Sequence, residues 1–370
     1  MARGAFSGND SRILINSMNR FLTPLAEVYG LGALLREHAF RNGWLKSRRL
    51  SRPVISVGNL TVGGSGKTPL VGWIAEIMLR RGYKPAILTR GYGRKRGPDL
   101  VVLEPQAQRN IDARTVGDEP AWLARALPQV PIVISANRHR AGLLAEERFG
   151  VDIHILDDGF QHFALERDVD VVAVDVTQEL SDHALLPAGR LREPCSALRR
   201  ADLILLTRVE LQNPDAIEKQ IRSINPQAQV FHCSTALRGL IEAGNGKLQP
   251  PADYLERPLC AFCGIGNPGA FFADLRRWGF TLSAEIAFRD HHVYGPQDMK
   301  RLLKVAQSAG AAAFLTTEKD VMNLSPQWKT GLPVLACAIR PEISDAKAFE
   351  EALLAGVSPV RLRERAASAV

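Results

Sequence analysis

A glycine-rich stretch between an apolar run and an apparent helix constrains the fold of this chain more than any other feature. Residues 54–68 have the sequence VISVGNLTVGGSGKT, in which a β-type run leads into a loop with three glycines and then into Lys-Thr. At the start of a helix, free backbone N–H groups and the helix dipole can surround a polyphosphate. The sequence therefore predicts a phosphate-binding loop at the end of a buried strand.

Individual positions of this loop suggest separate tasks. We expect Lys67 to neutralise the β- and γ-phosphates of a nucleotide and Thr68 to bind Mg²⁺ through its hydroxyl. The usual pattern, G-x-x-x-x-G-K-[ST], has glycine where this chain has Thr61, so a chance glycine-rich turn stays an alternative. The predicted nucleotide-binding residues are Thr61, Val62, Gly63, Gly64, Ser65, Gly66, Lys67 and Thr68.

Apolar runs alternate with helix-like stretches from about residue 53 onward. The runs are rich in Val, Ile and Leu without polar alternation, which is typical of strands buried on both faces. We expect strands at 53–57, 86–88, 130–135, 151–156, 169–176 and 201–207, and helices at 69–81, 119–127 and 138–149. This order predicts a doubly wound, mostly parallel α/β sheet of the P-loop NTPase type, with ligands beyond the carboxyl ends of its strands.

Polar segments that carry Pro and Gly, at 211–226 and 243–254, precede a second set of elements. We expect strands near 258–263, 282–288, 311–316 and 333–339, and helices near 268–278, 296–308 and 344–354. A chain of 370 residues is long enough for two or three domains. The predicted divisions are an N-terminal segment 1–52, a P-loop core 53–225 and a smaller C-terminal α/β domain 226–370 joined by a hinge.

The positive charge is concentrated at the N-terminus. Residues 1–52 hold nine Lys and Arg against three Asp and Glu, so +6 of the net +8 lies there, next to apolar side chains over 13–35. This pattern fits a segment lying in an anionic membrane interface, or a helix packed on its own domain with a solvated basic face. No stretch is apolar enough for a signal or spanning helix, and five scattered cysteines favour a reduced, cytoplasmic protein.

Acidic and imidazole side chains follow several predicted strands. Asp157 and Asp158 end the run VDIHILDD, where carboxylates could bind Mg²⁺ or cap the next helix. Asp118 in VGDEP could be a helix N-cap or a general base, and the sequence alone favours the cap. His291 and His292 close a strand of the second set, where one of them could hold a carboxylate across a cleft, although a surface histidine pair is the commoner outcome.

The nucleotide is expected to be ATP. The stretch TTEKD at 316–320 departs from the guanine-reading N/T-K-x-D signature, because Lys319 is adjacent to Asp320. Arg90 follows a buried strand on a glycine-hinged loop, where it could meet anionic groups or belong to a solvated turn.

Together these motifs resemble the tetraacyldisaccharide 4'-kinase family, the lipid A 4'-kinases of Gram-negative bacteria. The motifs are GNLTVGGSGKTP (58–69), TRGYGRK (89–95), VGDEP (116–120), SANRHRA (135–141), LDDGFQH (156–162), LLPAGRLREP (185–194), RDHH (289–292) and TTEKD (316–320). The resemblance implies transfer of the γ-phosphoryl group of ATP to the 4'-hydroxyl of an acylated glucosamine disaccharide 1-phosphate. It also implies a peripheral enzyme on the cytoplasmic face of the bacterial inner membrane.

The resemblance further implies roles for individual residues. Lys67 and Thr68 would serve ATP and Mg²⁺, Asp157 and Asp158 the metal, and Asp118 a catalytic base that works with His291, with His292 as the alternative. The positions that match family residues around the lipid headgroup and the nucleotide are Arg90, Arg138, His162 and Glu193. Thr61 also agrees, since the family's loop is built on G-G-x-G-K-T.

Two other classes stay open from the residues alone. A P-loop ATPase of the metallochaperone type would need a His/Cys cluster that the sequence does not offer. A nucleic-acid-binding ATPase would explain the basic charge, but that charge lies beside apolar residues without interleaved aromatic platforms. We therefore expect an anionic membrane surface as partner, no nucleic acid, and a monomer.

Overall fold

The computed structural model describes residues 8–92, 94, 97–106, 111–178, 180, 184–324 and 331–357, and the side chains of the first helix from residue 22 onward. The helices are α1 (Gly8–Arg41), α2 (Lys67–Arg80), α3 (Ala113–Val116), α4 (Asp118–Ala126), α5 (Arg138–Phe149), α6 (Asp215–Ile224), α7 (Pro268–Arg277), α8 (Pro296–Ser308), α9 (Glu318–Met322) and α10 (Ala346–Gly356). The strands are β1 (Val54–Gly58), β2 (Pro85–Thr89), β3 (Leu100–Leu103), β4 (Ile132–Ser135), β5 (Ile153–Asp157), β6 (Val169–Asp175), β7 (Leu203–Thr207), β8 (Gln229–Glu242), β9 (Leu248–Gln249), β10 (Pro258–Cys263), β11 (Thr281–Ala287), β12 (Ala313–Thr317) and β13 (Val334–Ile343).

The strands of the described residues form one mixed sheet. Their order is β11-β10-β12-β13-β8-β7-β6-β1-β5-β2-β4-β3, with β9 paired to β8. Strand β1 lies between β5 and β6 and is parallel to both, and each of its residues is buried because helices or loops cover both faces. The predicted α/β class with a mostly parallel sheet is confirmed.

Apart from the antiparallel edge strands β3 and β9, the direction of the sheet reverses between β8 and β13. The first residues of β8 run parallel to β7 and end beside it at the pair Thr207 and Cys233. Beyond this point β8 continues to Glu242 and pairs antiparallel with β13. Because β10, β11 and β12 are parallel to β13, they point back toward β7 and its neighbours. The parallel strands β1, β2 and β4 to β7 form a first strand set, and β10 to β13 form a second. The carboxyl ends of the two strand sets therefore face each other.

Helix α1 is one continuous helix of 34 residues that passes through Pro24. Near its end it is fixed to the sheet domain by Glu37, which pairs with Arg200 at 3.0 Å, and by Phe40, which stacks on Phe163. The large apolar side chains that it exposes are Leu25, Val28, Tyr29, Leu31, Leu34 and Leu35. The predicted apolar positions 13–21 lie outside the residues whose side chains are described. Within the described residues, no helix has both the length and the apolar content needed to span a bilayer.

Three elements differ from the sequence-based expectations. The polar segment 211–226 contains α6, whose buried Ile217 and Ile221 form one apolar face. Strand β8 was not predicted, because its exposed and half-buried polar residues interrupt the apolar pattern. The short edge strand β3 was also missed. The division into domains and a hinge stays a prediction, and residues 358–370 of the last segment lie outside the described part.

Candidate active site

The glycine-rich loop connects β1 to α2 and has the backbone shape that its sequence requires. Gly63 and Gly66 have φ angles of 109° and 79°, where side chains other than hydrogen are strained. Helix α2 begins at Lys67 rather than near Pro69, so Lys67 and Thr68 occupy its first turn. The N–H groups of a first turn have no partner within the helix and are available to an anion.

The ammonium group of Lys67 is oriented by two side chains. It donates to the Oδ1 atom of Asn59 at 2.9 Å and lies 3.6 Å from a carboxylate oxygen of Asp158. Asn59 is fully buried, and its amide donates to the carbonyl of Thr61 at 2.6 Å, which fixes the start of the loop. Sequence reasoning missed Asn59, although a polar residue directly after a buried strand was the available signal.

A second loop lies against the glycine-rich loop from the side of β10. A Cβ atom on Gly266 would collide with the backbone of Gly63 and Gly64, so only glycine allows this approach. Arg190 joins the two loops, because it donates to the carbonyl oxygens of Val62 and Gly266 at 3.0 Å each. The two sets of strands thus meet at the phosphate-binding loop itself.

The two aspartates at the end of β5 have different surroundings. The carboxylate of Asp157 accepts from the Thr89 hydroxyl at 2.9 Å. Burial, together with the negative charges of Glu119 and Asp158, raises the pKa of Asp157 from 3.8 to about 7. Asp158 instead accepts two hydrogen bonds from Arg192, at 2.6 and 2.8 Å. Although burial opposes this, the charges of Lys67 and Arg192 hold the pKa of Asp158 below its usual value.

Asp118 and His291 come together although 173 residues separate them. The Nδ1 atom of His291 lies 2.9 Å from a carboxylate oxygen of Asp118, and His291 is held at φ 56° after β11. His292 points elsewhere, since its Nε2 atom lies 3.0 Å from Asp298 at the start of α8. The preference for Asp118 as an N-cap was wrong, because Gly117 occupies that position and Asp118 is the first helical residue.

The pKa values of Asp118 and His291 are both shifted by their contact. Burial by itself would raise the pKa of Asp118, but the hydrogen bond from His291 and the charge of Lys319 outweigh it, so the pKa lies below 3.8. Burial would lower the pKa of His291, yet its hydrogen bond to Asp118 and that carboxylate's charge raise the pKa above 6.5. Sequence reasoning gave Lys319 no role at this site.

A cluster of cations surrounds His162. Burial, followed by the charges of Arg138, Arg167, Arg36 and Arg90, lowers the pKa of this imidazole from 6.5 to about 4. Arg138 is 5 % exposed, and its Nε atom has no hydrogen-bond partner among the described residues. Part of this positive charge is balanced, because Arg167 pairs with Asp170 at 3.1 Å and Arg138 lies near the carboxylates of Asp157 and Asp158.

The predicted site residues are distributed between a cavity and its supports. A cavity of about 700 Å³ opens between the two strand sets. Its lining includes Val62 and the loop that follows it as far as Thr68, together with Arg90, Asp157, Asp158 and His291. Among the described residues, Thr61, Asp118, Arg138, His162 and Glu193 lie outside that lining. Asp118 lies just behind the cavity wall, where it contacts the lining residues His291 and Lys319.

Glu193 belongs to a buried network below the loop. Its carboxylate accepts from Arg200 at 2.7 Å and from Gln161 at 3.1 Å. The Gln161 amide also donates to the carbonyl of Asn59 at 2.9 Å. Because Arg200 in turn pairs with Glu37 of α1, this network connects the first helix to the residue that orients Lys67.

A phosphate-binding loop on the central strand of a parallel sheet, with a lysine and two carboxylates beside it, defines a P-loop nucleotide-dependent enzyme. Residues 18–358 match the family model described as Tetraacyldisaccharide-1-P 4'-kinase. The chain belongs to this family.

Individual relatives agree over nearly the whole length. The chain is 39 % identical to the tetraacyldisaccharide 4'-kinase of Geobacter metallireducens over 90 % of this chain and 96 % of the relative. The corresponding protein of Geobacter sulfurreducens is 38 % identical over 94 % and 96 %. The crystal structure of LpxK from Aquifex aeolicus in complex with ATP superposes with a TM-score of 0.72 at 28 % identity, covering 92 % of this chain and all of that one. These matches support neither the metallochaperone nor the nucleic-acid alternative.

Proposed function

We propose that this protein transfers the γ-phosphoryl group of ATP to the 4'-hydroxyl group of a tetraacylated glucosamine disaccharide 1-phosphate. The observation that carries the proposal is the Asp118–His291 pair, in which the histidine Nδ1 atom lies 2.9 Å from a carboxylate oxygen. This pair lies beside a cavity that is also lined by the phosphate-binding loop. Membership of the 4'-kinase family supplies the acceptor.

The residues of the cavity fit a nucleotide and a divalent cation. Gly63 and Gly66 have positive φ angles and carry no side chains that would obstruct a phosphate. Lys67 lies at the end of this loop, where its ammonium group can neutralise phosphate charge. Thr68 offers a hydroxyl, and Asp157 and Asp158 offer the carboxylate oxygens that Mg²⁺ prefers. Bound Mg²⁺ would supply charge neutralisation to the transferred phosphoryl group.

The chemistry required of the protein is positioning and removal of one proton. A sugar hydroxyl is a weak nucleophile, so phosphoryl transfer needs a carboxylate that accepts its proton late in the reaction. Asp118 is ionised at neutral pH because its pKa is held below 3.8. We assign Asp118 as this base, with His291 orienting its carboxylate.

The surroundings of the cavity support an anionic, acylated acceptor. The cations around His162 include Arg36 of α1 and Arg90 of the cavity wall, so an acidic sugar group would meet positive charge there. Tyr29 of α1 reaches the cavity rim, and Leu25, Val28 and Leu31 of the same helix expose further apolar surface to solvent. Acyl chains could therefore leave the cavity along an apolar surface.

The same apolar surface supports peripheral attachment to the membrane. Its leucines would lie in the bilayer interface while neighbouring Arg and Lys residues meet anionic headgroups. We place the protein as a monomer on the cytoplasmic face of the inner membrane, without a nucleic-acid partner. This attachment would bring a membrane-bound substrate to the cavity without extraction into water.

Incubation with γ-labelled ATP, Mg²⁺ and the acylated disaccharide 1-phosphate tests the proposal. We expect label on the lipid, at the 4'-position, and none with Lys67→Ala or Asp118→Ala. The Asp118→Ala protein should still bind ATP. Label on the 1-phosphate, on another hydroxyl or only in released phosphate would refute the assigned reaction.

A further inference from the structure

Lys319 lies where polar groups from both strand sets converge. Its Nζ atom is 3.2 Å from a carboxylate oxygen of Glu119 and 3.6 Å from one of Asp118, both on α4. On its own side of the cavity, Nζ lies 3.9 Å from a carboxylate oxygen of Asp290 and 3.5 Å from the Nε2 atom of His291. One ammonium group thus stands among three carboxylates and an imidazole.

The two nitrogens of His291 face opposite kinds of partner. Nδ1 meets the Asp118 carboxylate, which can only accept a hydrogen bond, so this nitrogen carries a proton. Nε2 lies 3.5 Å from the Lys319 ammonium, which can only donate, and 3.8 Å from a carboxylate oxygen of Asp290, which is beyond hydrogen-bonding distance. A hydrogen bond from Lys319 requires the lone pair of Nε2, so this contact favours the neutral imidazole that donates to Asp118 and opposes the carboxylate charge that raises the pKa of His291.

We propose that Lys319 is a positioning residue that keeps the Nε2 atom of His291 unprotonated, so that His291 holds Asp118 as a free carboxylate for proton acceptance. The proposal rests on the proposed function only where it concerns turnover. Its structural part concerns the charge and tautomer of His291 and can be tested without any substrate.

The charges around His291 explain why such a residue is needed. Asp118 and Glu119 approach from α4, and Asp290 precedes the histidine in the chain. The Tyr92 ring also lies against the imidazole, with 5.3 Å between ring centroids. The Asp118 and Asp290 carboxylates favour a second proton on the imidazole, and among the described residues Lys319 is the cation within hydrogen-bonding distance that opposes it. An imidazolium would pair with Asp118 and weaken it as a base.

Kinetic measurements over a range of pH separate this role from a merely structural one. For Lys319→Met we expect kcat to fall by roughly 10²-fold at neutral pH, within the contribution of a positioned base, with little change in the KM for ATP. The acidic limb of the kcat profile should move upward by on the order of one pH unit, because His291 and Asp118 both lose a nearby positive charge. Lys319→Arg should restore the limb, and the exposed Lys304→Met is the matched control.

A uniform loss of activity with an unmoved acidic limb would overturn the proposal. So would full recovery of Lys319→Met by added salt or by lower temperature, since that would indicate a stability defect alone. If no variant, including the wild type, phosphorylates the acylated disaccharide, the proposed function fails and the test below still applies to Lys319.

Nuclear magnetic resonance of the full chain with ¹⁵N-labelled histidine provides the substrate-free test. At pH 8 we expect wild-type His291 to carry its proton on Nδ1 and a lone pair on Nε2. Lys319→Met should move the titration of His291 to higher pH and leave the chemical shifts of His292, which faces Asp298, unchanged at pH 8. A wild-type His291 protonated on Nε2 at pH 8, or an unchanged titration in the variant, would overturn the proposal.

Discussion

Asp118 and Asp157 are both buried, yet their surroundings act on their carboxyl groups in opposite directions. Asp118 has a histidine and a lysine as partners, and its pKa is lowered. Asp157 has one neutral hydroxyl donor and two acidic neighbours, and its pKa is raised to about 7. At the scale of single residues, the site therefore contains one carboxylate that is ionised at neutral pH and one that is partly protonated there.

The raised pKa of Asp157 predicts a pH-dependent cost in stability. The folded state holds a proton between pH 3.8 and about 7 that the unfolded chain has released, so stability falls as pH rises through that window. Without Mg²⁺, Asp157→Asn should therefore unfold at a higher temperature than the wild type at pH 8 and at a similar temperature near pH 4. Thermal unfolding followed by circular dichroism measures this. A variant that is less stable at pH 8 would contradict it.

The two adjacent histidines allow a matched comparison. His291→Gln should lower kcat by roughly 10²-fold or more, because glutamine cannot reproduce both nitrogen contacts, while ATP affinity is retained. His292→Gln should keep most of the activity, since its ring meets Asp298 and the Phe288 ring away from the carboxylate. Equal losses in the two variants would argue against the assignment. Steady-state kinetics and nucleotide titration give both quantities.

At the scale of elements, the sequence predicted the site where local chemistry decides the structure. The loop before Lys67 and the carboxylates after β5 follow from a strand that ends at a fixed sheet edge. The distant partners of these residues could not be predicted, because Arg192 and Lys319 reach the site through tertiary packing. Nothing in their spacing along the chain indicates which carboxylate or ammonium they will meet.

The exposed face of α1 gives a prediction at this scale. Leu31→Glu combined with Leu35→Glu should weaken binding to anionic vesicles on the order of 100-fold, because each leucine contributes about 1.5 kcal/mol or more when buried in the interface. Both side chains are 58 % exposed, so folding and ATP binding should be unaffected. Leu248→Glu on β9, at a residue 61 % exposed, is the control. Vesicle sedimentation measures the difference, and equal binding by all three proteins would refute the attachment.

At the scale of the whole molecule, the sequence predicted two sets of α/β elements but not how they are joined. The predicted strand 258–263 and the predicted helix 296–308 have the same bounds as β10 and α8 in the structure. Strand β8 was not predicted because it runs from the first strand set to the second and is exposed to solvent on part of its length. Its sequence therefore lacks the continuous apolar pattern of a buried strand. The reversal between β8 and β13, which brings His291 to Asp118, was therefore not predictable.

The length of this paired region is itself testable. Two residues inserted into each strand, next to the paired Ala236 and Arg340, preserve the alternation of faces and add about 7 Å. Both cores and ATP binding should survive, whereas kcat should fall to background because Asp118 and His291 can no longer touch. The same insertion at the turn near Gly244 is the control. Turnover in the lengthened protein would show that the contact is dispensable.

The ladder between β8 and β13 also sets limits on how chains with this architecture can vary. Surface loops can gain or lose residues one at a time, because nothing beyond them depends on their length. A change in β8 requires a matching change in β13, and an odd number of residues would exchange inward and outward side chains. Insertions in these two strands should therefore occur together and in even numbers, and a graft of one half onto a different partner must keep this spacing to remain an enzyme.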